Sequence, residues 1–212
     1  MRKIVAIEEV LASFPKTRPW LPKTFEQIYQ EHYRNNRQGG THASWVATHL
    51  ERWMHYKVAA DRLIRKGVYE TLEIGAGTLN HLSWENLSYP YDIVEPFTEL
   101  YVNSTQLRLL RSIFRDLSEI AVDVPRYDRI LAIATFEHLC DLPSIIARSG
   151  LLLKEGGVLR VAIPAEGSWL WRLAWKLSTG VEFRLKYHLD YEILMKYEHV
   201  NTWLEISQLL HY

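Results

Sequence analysis

A single cysteine, Cys140, occurs in the 212 residues, so no intrachain disulfide can form. No signal peptide is recognisable, and together these point to a reducing compartment, the cytoplasm. Long apolar runs are lacking too: no stretch approaches the ~18 uninterrupted apolar residues of a membrane span. Net charge is absent, since Lys+Arg and Asp+Glu each number 25. A neutral chain has no overall field with which to gather phosphates, so no nucleic-acid partner is expected, although a local basic patch stays open. With 48% hydrophobic and 24% charged residues the composition is that of an ordinary globular protein, which excludes wholesale disorder. A phosphate-cradling G-x-x-x-x-G-K-[ST] loop is absent, and His spacing such as H-x-x-x-H does not occur, so no metal is expected. The surplus is aromatic, 8 Trp and 12 Tyr. It suits a thick core, a surface for stacking a sugar or base, or an adhesive interface, and a homodimer is among the expectations.

The length fits one domain with appendages. A short helical pattern runs from Ile4 to Phe14, and Pro15, Pro19 and Pro22 turn the next segment into a loop or arm. Thr24 is placed to cap a helix over Phe25–Arg34, which "NNRQGG" ends. Residues 41–67 carry Trp45, Val46, Leu50, Trp53, Met54, Val58 and Leu63 near helical spacing, a long amphipathic helix closed by Gly67. After Gly67 strands and helices alternate. Strands are expected over 69–74, 91–96, near "RSIF", over 127–135 and over 156–164, and helices near 79–86, 98–110 and 143–153. The fourth strand, "YDRILAIAT", reads as apolar on both faces, which suits a sheet covered on both sides. The expected class is α/β: a doubly wound, Rossmann-like, mostly parallel sheet over 68–212, preceded by an arm and helical lid over 1–67. Three tail helices are expected, over 168–180, 190–196 and 200–211. The first is Trp-rich, and packing on the sheet or on a second subunit outweighs a lipid-facing role.

In such sheets ligands sit beyond the carboxyl ends of the strands, at the switch in strand order. The first turn, in "TLEIGAGTLN", holds Gly75 and Gly77, which let backbone approach a ligand without a Cβ in the way. Glu95 ends the second strand 18 positions later, where a carboxylate can accept from both hydroxyls of a ribose. The dinucleotide pattern G-x-G-x-x-G fails at Asn80. Glu73, just ahead of the glycines at the mouth of the strand, repels a phosphate and favours a cationic ligand, directly or through water. That combination tilts the reading to S-adenosylmethionine (SAM), which carries a sulfonium and an ammonium but no phosphate.

These segments resemble the class I SAM-dependent methyltransferases over about residues 68–167. "LEIGAG" resembles their first motif, "YDIVEP" the second, "FRDLSEI" the adenine segment, "YDRILAIATFEHLCDLP" the fourth-strand motif, and "LLLKEGGVLRVAIP" the helix, turn and strand that follow. The resemblance implies that SAM is held by Glu73, Gly75, Ala76, Gly77, Glu95, Pro96, Asp116, Leu117, Ala134 and Thr135, with Asp116 on the adenine amino group. Two departures stand out. Leu79 replaces the motif's third glycine, and the family's last two strands are missing, which implies a truncated chain or a sheet capped differently, for instance by a partner subunit.

For the acceptor, His138 is a candidate base, with Glu137 and Glu166 nearby in sequence; the competing reading makes them loop-stabilising or helix-capping groups. Tyr33, Arg37, His188, Tyr191, His199 and Asn201 are candidates for binding the substrate, with Tyr29 and Tyr33 as part of the lid. The expected activity is methyl transfer to a small or medium-sized acceptor. Two alternatives remain: a non-catalytic cofactor-binding or dimerising scaffold, and a nicotinamide-dependent oxidoreductase.

Overall fold

A computed structural model describes residues 6–23, 25, 45–59, 69–85, 90–163, 187, 189 and 191–212, with backbone only for 45–51 and 191. Two compact units divide the chain: one holds residues 51–136 and 144–163, the other 1–50, 137–143 and 164–212.

The first unit is built on five parallel strands: β1 (Thr71–Ile74), β2 (Tyr91–Val94), β3 (Ser112–Phe114), β4 (Tyr127–Ile133) and β5 (Leu153–Ala162). Their order is β3-β2-β1-β4-β5, so the winding reverses between β1 and β4. Both sheet faces are covered, as continuous burial along β1 and β2 demands. Glu73 lies level with Ile93 and Leu131 in the register, and one face packs Met54, Val58, Leu79, Leu82, Ile93, Leu131 and Ile133 into a core. Met54 and Val58 come from the helix Trp45–Val58, the described part of the long amphipathic segment.

The segments after β1 and β2 differ from expectation. In place of α-helices near 79–86 and over 98–110 there are 3₁₀ turns, Asn80–Trp84, Thr98–Leu100 and Thr105–Leu109. Leu79 takes left-handed backbone, φ +67°, and so blocks a helix from starting before it. In the second segment the Ser104 hydroxyl accepts from the Gln106 amide, a local bond that competes with the helical ladder. β5 begins three residues before its expected start, at Leu153, and the helix before it spans Leu142–Leu152.

The second unit contains helices Ile7–Ala12, Tyr191–Glu198 and Trp203–His211. The last opens with a capping box, in which Thr202 and Glu205 satisfy each other's backbone donors. Leu21, Phe25 and Leu194 form its apolar cluster. The expected loop over residues 15–22 is present as irregular backbone, and Lys16 fastens it. The Lys16 amide donates to the Cys140 carbonyl, and its ammonium reaches the Val200 carbonyl (2.9 Å) and Glu205 Oε1 (2.6 Å). The expected helices over 25–34 and 168–180 lie almost wholly outside the described residues, as do 41–44 and 60–67 of the long helix. Among the described residues no helix is long and apolar enough to cross a membrane.

Candidate cofactor site at the strand tips

The carboxyl ends of β1, β2, β3 and β4 carry the residues the motifs single out. Gly75 and Gly77 both have positive φ, +75° and +52°, where a side chain is strained. A Cβ on Gly75 would lie 2.4 Å from Thr135 Oγ1 and 2.5 Å from Thr135 Cγ2. The tips of β1 and β4 therefore meet at the switch point, at a separation only glycine permits. Thr135 in turn donates to the Ile133 carbonyl at 3.0 Å, and Ala134, exposed between them, has φ +49°. Non-glycine residues in this conformation concentrate where a site over-determines the backbone.

Glu95 joins the next two strand tips. Its amide donates to the Phe114 carbonyl, while its carboxylate accepts from the Gly77 amide (2.8 Å) and the Phe97 amide (3.0 Å). Each carboxylate oxygen then has one protein donor and a further lone pair for a ligand hydroxyl. Glu95 itself is buried, whereas Pro96 and Phe97 beside it are exposed. At the β3 tip Asp116 is exposed and Leu117 buried. Asp116 Oδ1 accepts from the Ser118 amide at 2.7 Å, and that bonding holds its carboxyl below the usual range.

Glu73 is the correction. The sequence places it at the mouth of the strand; the structure buries it, 2% exposed, on the core face of the sheet. Tyr91 Oη donates to Glu73 Oε2 at 2.9 Å. Burial pushes the Glu73 carboxyl above its ordinary value, against the pull of His81, the Tyr91 bond and His55. Burial and Glu73 together push the Tyr91 hydroxyl well up, so it remains a donor. Around this pair lies a polar network that sequence reading missed. His55 and His81 face each other through Nδ1 at 3.1 Å, and His81 Nε2 meets Glu85 Oε1 at 2.7 Å. Because a carboxylate only accepts, the His81 proton sits on Nε2. Arg129 pairs with Glu85 through two bonds, 2.9 and 2.7 Å, and also reaches Thr71 Oγ1. Burial alone would raise Glu85, but the bonds from His81 and Arg129 outweigh it and hold the carboxyl below its ordinary value. Arg129 also overturns the view of β4 as apolar on both faces: it is 1% exposed. The only signal available was the four-residue spacing of His81 and Glu85 and a lone arginine in an apolar run.

Of the acceptor-side candidates, the second unit brings together His138, His199 and Asn201. The rings of His138 and His199 meet edge-on at 4.6 Å between centroids. His138 Nδ1 lies 2.9 Å from the Glu198 carbonyl, an acceptor, so that nitrogen carries the proton. Asn201 is buried and staples the turn after β4: its amide donates to the Glu137 carbonyl, and its Nδ2 donates to the Leu139 carbonyl at 2.7 Å. Arg18 donates to the carbonyls of Tyr197 and His138, a contact of the N-terminal arm that the motifs did not predict. Glu166, Tyr29, Tyr33, Arg37, His188 and the Tyr191 side chain lie outside the described residues. Among the described residues no three His, Cys, Asp or Glu side chains group to hold a metal.

Comparison with known proteins bears on the fold. No protein-family model matches the chain, and no curated protein sequence does. Solved structures do. The plantazolicin methyltransferase BpumL, in complex with a pentazolic desmethylPZN analog and S-adenosylhomocysteine (SAH), superposes with a TM-score of 0.60 at 16% identity, over 97% of this chain and 76% of that one. A SAM-dependent methyltransferase from Thermotoga maritima, a possible histamine N-methyltransferase, superposes at 0.54 and 18% identity, over 89% and 78%. The chain thus shares the class I fold of SAM-dependent methyltransferases, as its motif resemblance implies.

Proposed function

We propose that this protein is a SAM-dependent methyltransferase acting on a small or medium-sized acceptor. The observation that carries the reading is Glu95: at the carboxyl end of β2 one carboxylate clamps the glycine turn through Gly77 and also accepts from the Phe97 amide. A carboxylate at that place supports a reading in which it accepts from the hydroxyls of a ribose. Gly75, Ala76 and Gly77 bring backbone to the cofactor, Ala134 and Thr135 line the β4 tip, and Pro96, Asp116 and Leu117 take the adenine end. Glu73 acts through its buried carboxyl, which in its ionised form favours a cationic donor over a phosphate-bearing one. The structural neighbours named above are themselves methyltransferases, and one is complexed with SAH, which supports the choice of cofactor.

Transfer is an in-line displacement at a carbon already activated by sulfonium, so alignment and exclusion of water supply most of the catalysis. His138 is our candidate base for an acceptor that must lose a proton, with Glu137 and Glu166 as further candidates. The bond from Nδ1 to the Glu198 carbonyl fixes the orientation of the His138 ring.

Calorimetry with SAM, SAH and NAD tests the cofactor assignment, and SAH release across a panel of small acceptors tests turnover. Binding of SAM and SAH with no affinity for NAD is expected, and Glu95→Ala should weaken SAH binding by about tenfold or more, the worth of hydrogen bonds to a charged group. SAM binding without turnover across the panel would favour a non-catalytic scaffold, and selective NAD binding would favour an oxidoreductase.

A further inference from the structure

The turn after Asp116 is held from outside by one side chain that no motif marks. Arg148, on the helix Leu142–Leu152, donates through Nε to the Leu117 carbonyl at 2.8 Å. Its Nη2 donates to the carbonyls of Ser118 at 3.0 Å and Ile120 at 2.6 Å. One planar guanidinium thus gathers three carbonyls of a single short turn, whose Leu117 and Ile120 side chains are buried beneath it. Asp116 opens the same turn and caps it through the Ser118 amide, while its carboxylate stays exposed at the β3 tip. Lysine could not reproduce this, because an ammonium is a point charge without a rigid fork of donors.

We propose that Arg148 is the positioning residue for adenine recognition: it fixes the Asp116–Ile120 turn so that the Asp116 carboxylate meets the 6-amino group of the cofactor. The proposal rests on the methyltransferase reading and adds a specificity device to it. Arg148 also contributes to holding the Asp116 carboxyl low, which keeps it an ionised acceptor. An ionised carboxylate accepts from an amino group and repels a carbonyl, so the site discriminates adenine from its 6-oxo counterpart.

Calorimetry of the full chain with SAH and with its deaminated, inosyl counterpart reads this directly. The wild type should prefer SAH by about tenfold or more, the worth of a hydrogen bond to a charged group. Arg148→Gln should lose most of that preference, chiefly through weaker SAH binding, and Arg148→Lys should fall between. Asp116→Asn is the positive control for lost discrimination. A merely structural arginine would lower the melting temperature and leave the preference intact, and that result in folded Arg148→Gln or Arg148→Lys overturns the proposal. Equal wild-type affinity for the two ligands also overturns it, without reference to any variant. Wild-type protein that binds neither ligand refutes the methyltransferase reading itself.

Discussion

At the scale of single residues, Gly75 and Glu73 make opposite demands on the site. Gly75 is needed for what it lacks. Gly75→Ala would force a methyl against both Thr135 branches at positive φ, and we expect destabilisation of roughly 1–3 kcal/mol together with a loss of SAH affinity. Thr135→Ala removes both clashing atoms, so the double variant should recover part of the loss. A double-mutant cycle by urea unfolding checks the coupling, and strict additivity would show that the two tips do not meet. Glu73 is a carboxyl whose ionised form burial disfavours. Its folded carboxyl binds a proton more readily than its unfolded one, so its contribution to stability is full below about 4.5 and is lost as pH rises through the folded value. Glu73→Gln keeps an acceptor for Tyr91 but carries no charge. It should raise the melting temperature at pH 8, leave it nearly unchanged near pH 4, and weaken SAM binding. Thermal scans at the two pH values, with calorimetry, decide it.

At the scale of elements, the ion pair Arg129–Glu85 ties the middle of β4 to the turn after β1, and His81 joins it from that same turn. Replacing one partner strands the other's charge in the interior. Glu85→Gln should therefore cost about 3–5 kcal/mol by urea unfolding, while Arg129→Met with Glu85→Leu together should cost far less. The elements that could be read in advance share one property: strand sequences fully buried on both faces, bounded by Gly, Pro or Asp-containing turns, as in "TLEIGAG" and "YDIVEP". Their pairing follows from the right-handed βαβ rule once the alternation is recognised. What stayed hidden was decided by local or long-range competition. The helix expected over 98–110 broke because Ser104 offers the backbone a nearer partner. Asn201 stood out by the polar density around it, but sequence does not reveal that its amide also bonds a neighbouring carbonyl, that of Leu139. The buried network could not be anticipated because Arg129 and Glu85 are 44 positions apart and each, taken singly, reads as a surface residue.

At the scale of the whole molecule, carboxylates held low in both units set the response to acid. Glu70 and Glu85 belong to the sheet unit and Glu205 to the helical one, and all three are held below their ordinary value. Lowered groups stabilise fully above 4.5, and that contribution is lost as pH falls through their folded values, because the unfolded chain then binds more protons. Glu73 runs the other way, so stability should climb with pH on the acid side and level or decline above it. For Glu205, burial raises the carboxyl, and the Lys16 ammonium and the Thr202 bonds pull it down further than burial lifts it. Lys16→Met removes the largest of those pulls and leaves the capping box in place. Because the pair is partly exposed, its loss at neutral pH should be modest, about 1 kcal/mol or less. The acid limb is the sharper readout: the variant should lose less stability than wild type on going from about pH 6 to pH 3, since Glu205 then lacks the largest of the pulls that hold its carboxyl down. Urea unfolding across that range measures both slopes. Parallel acid limbs would mean that Lys16 does not govern the Glu205 carboxyl.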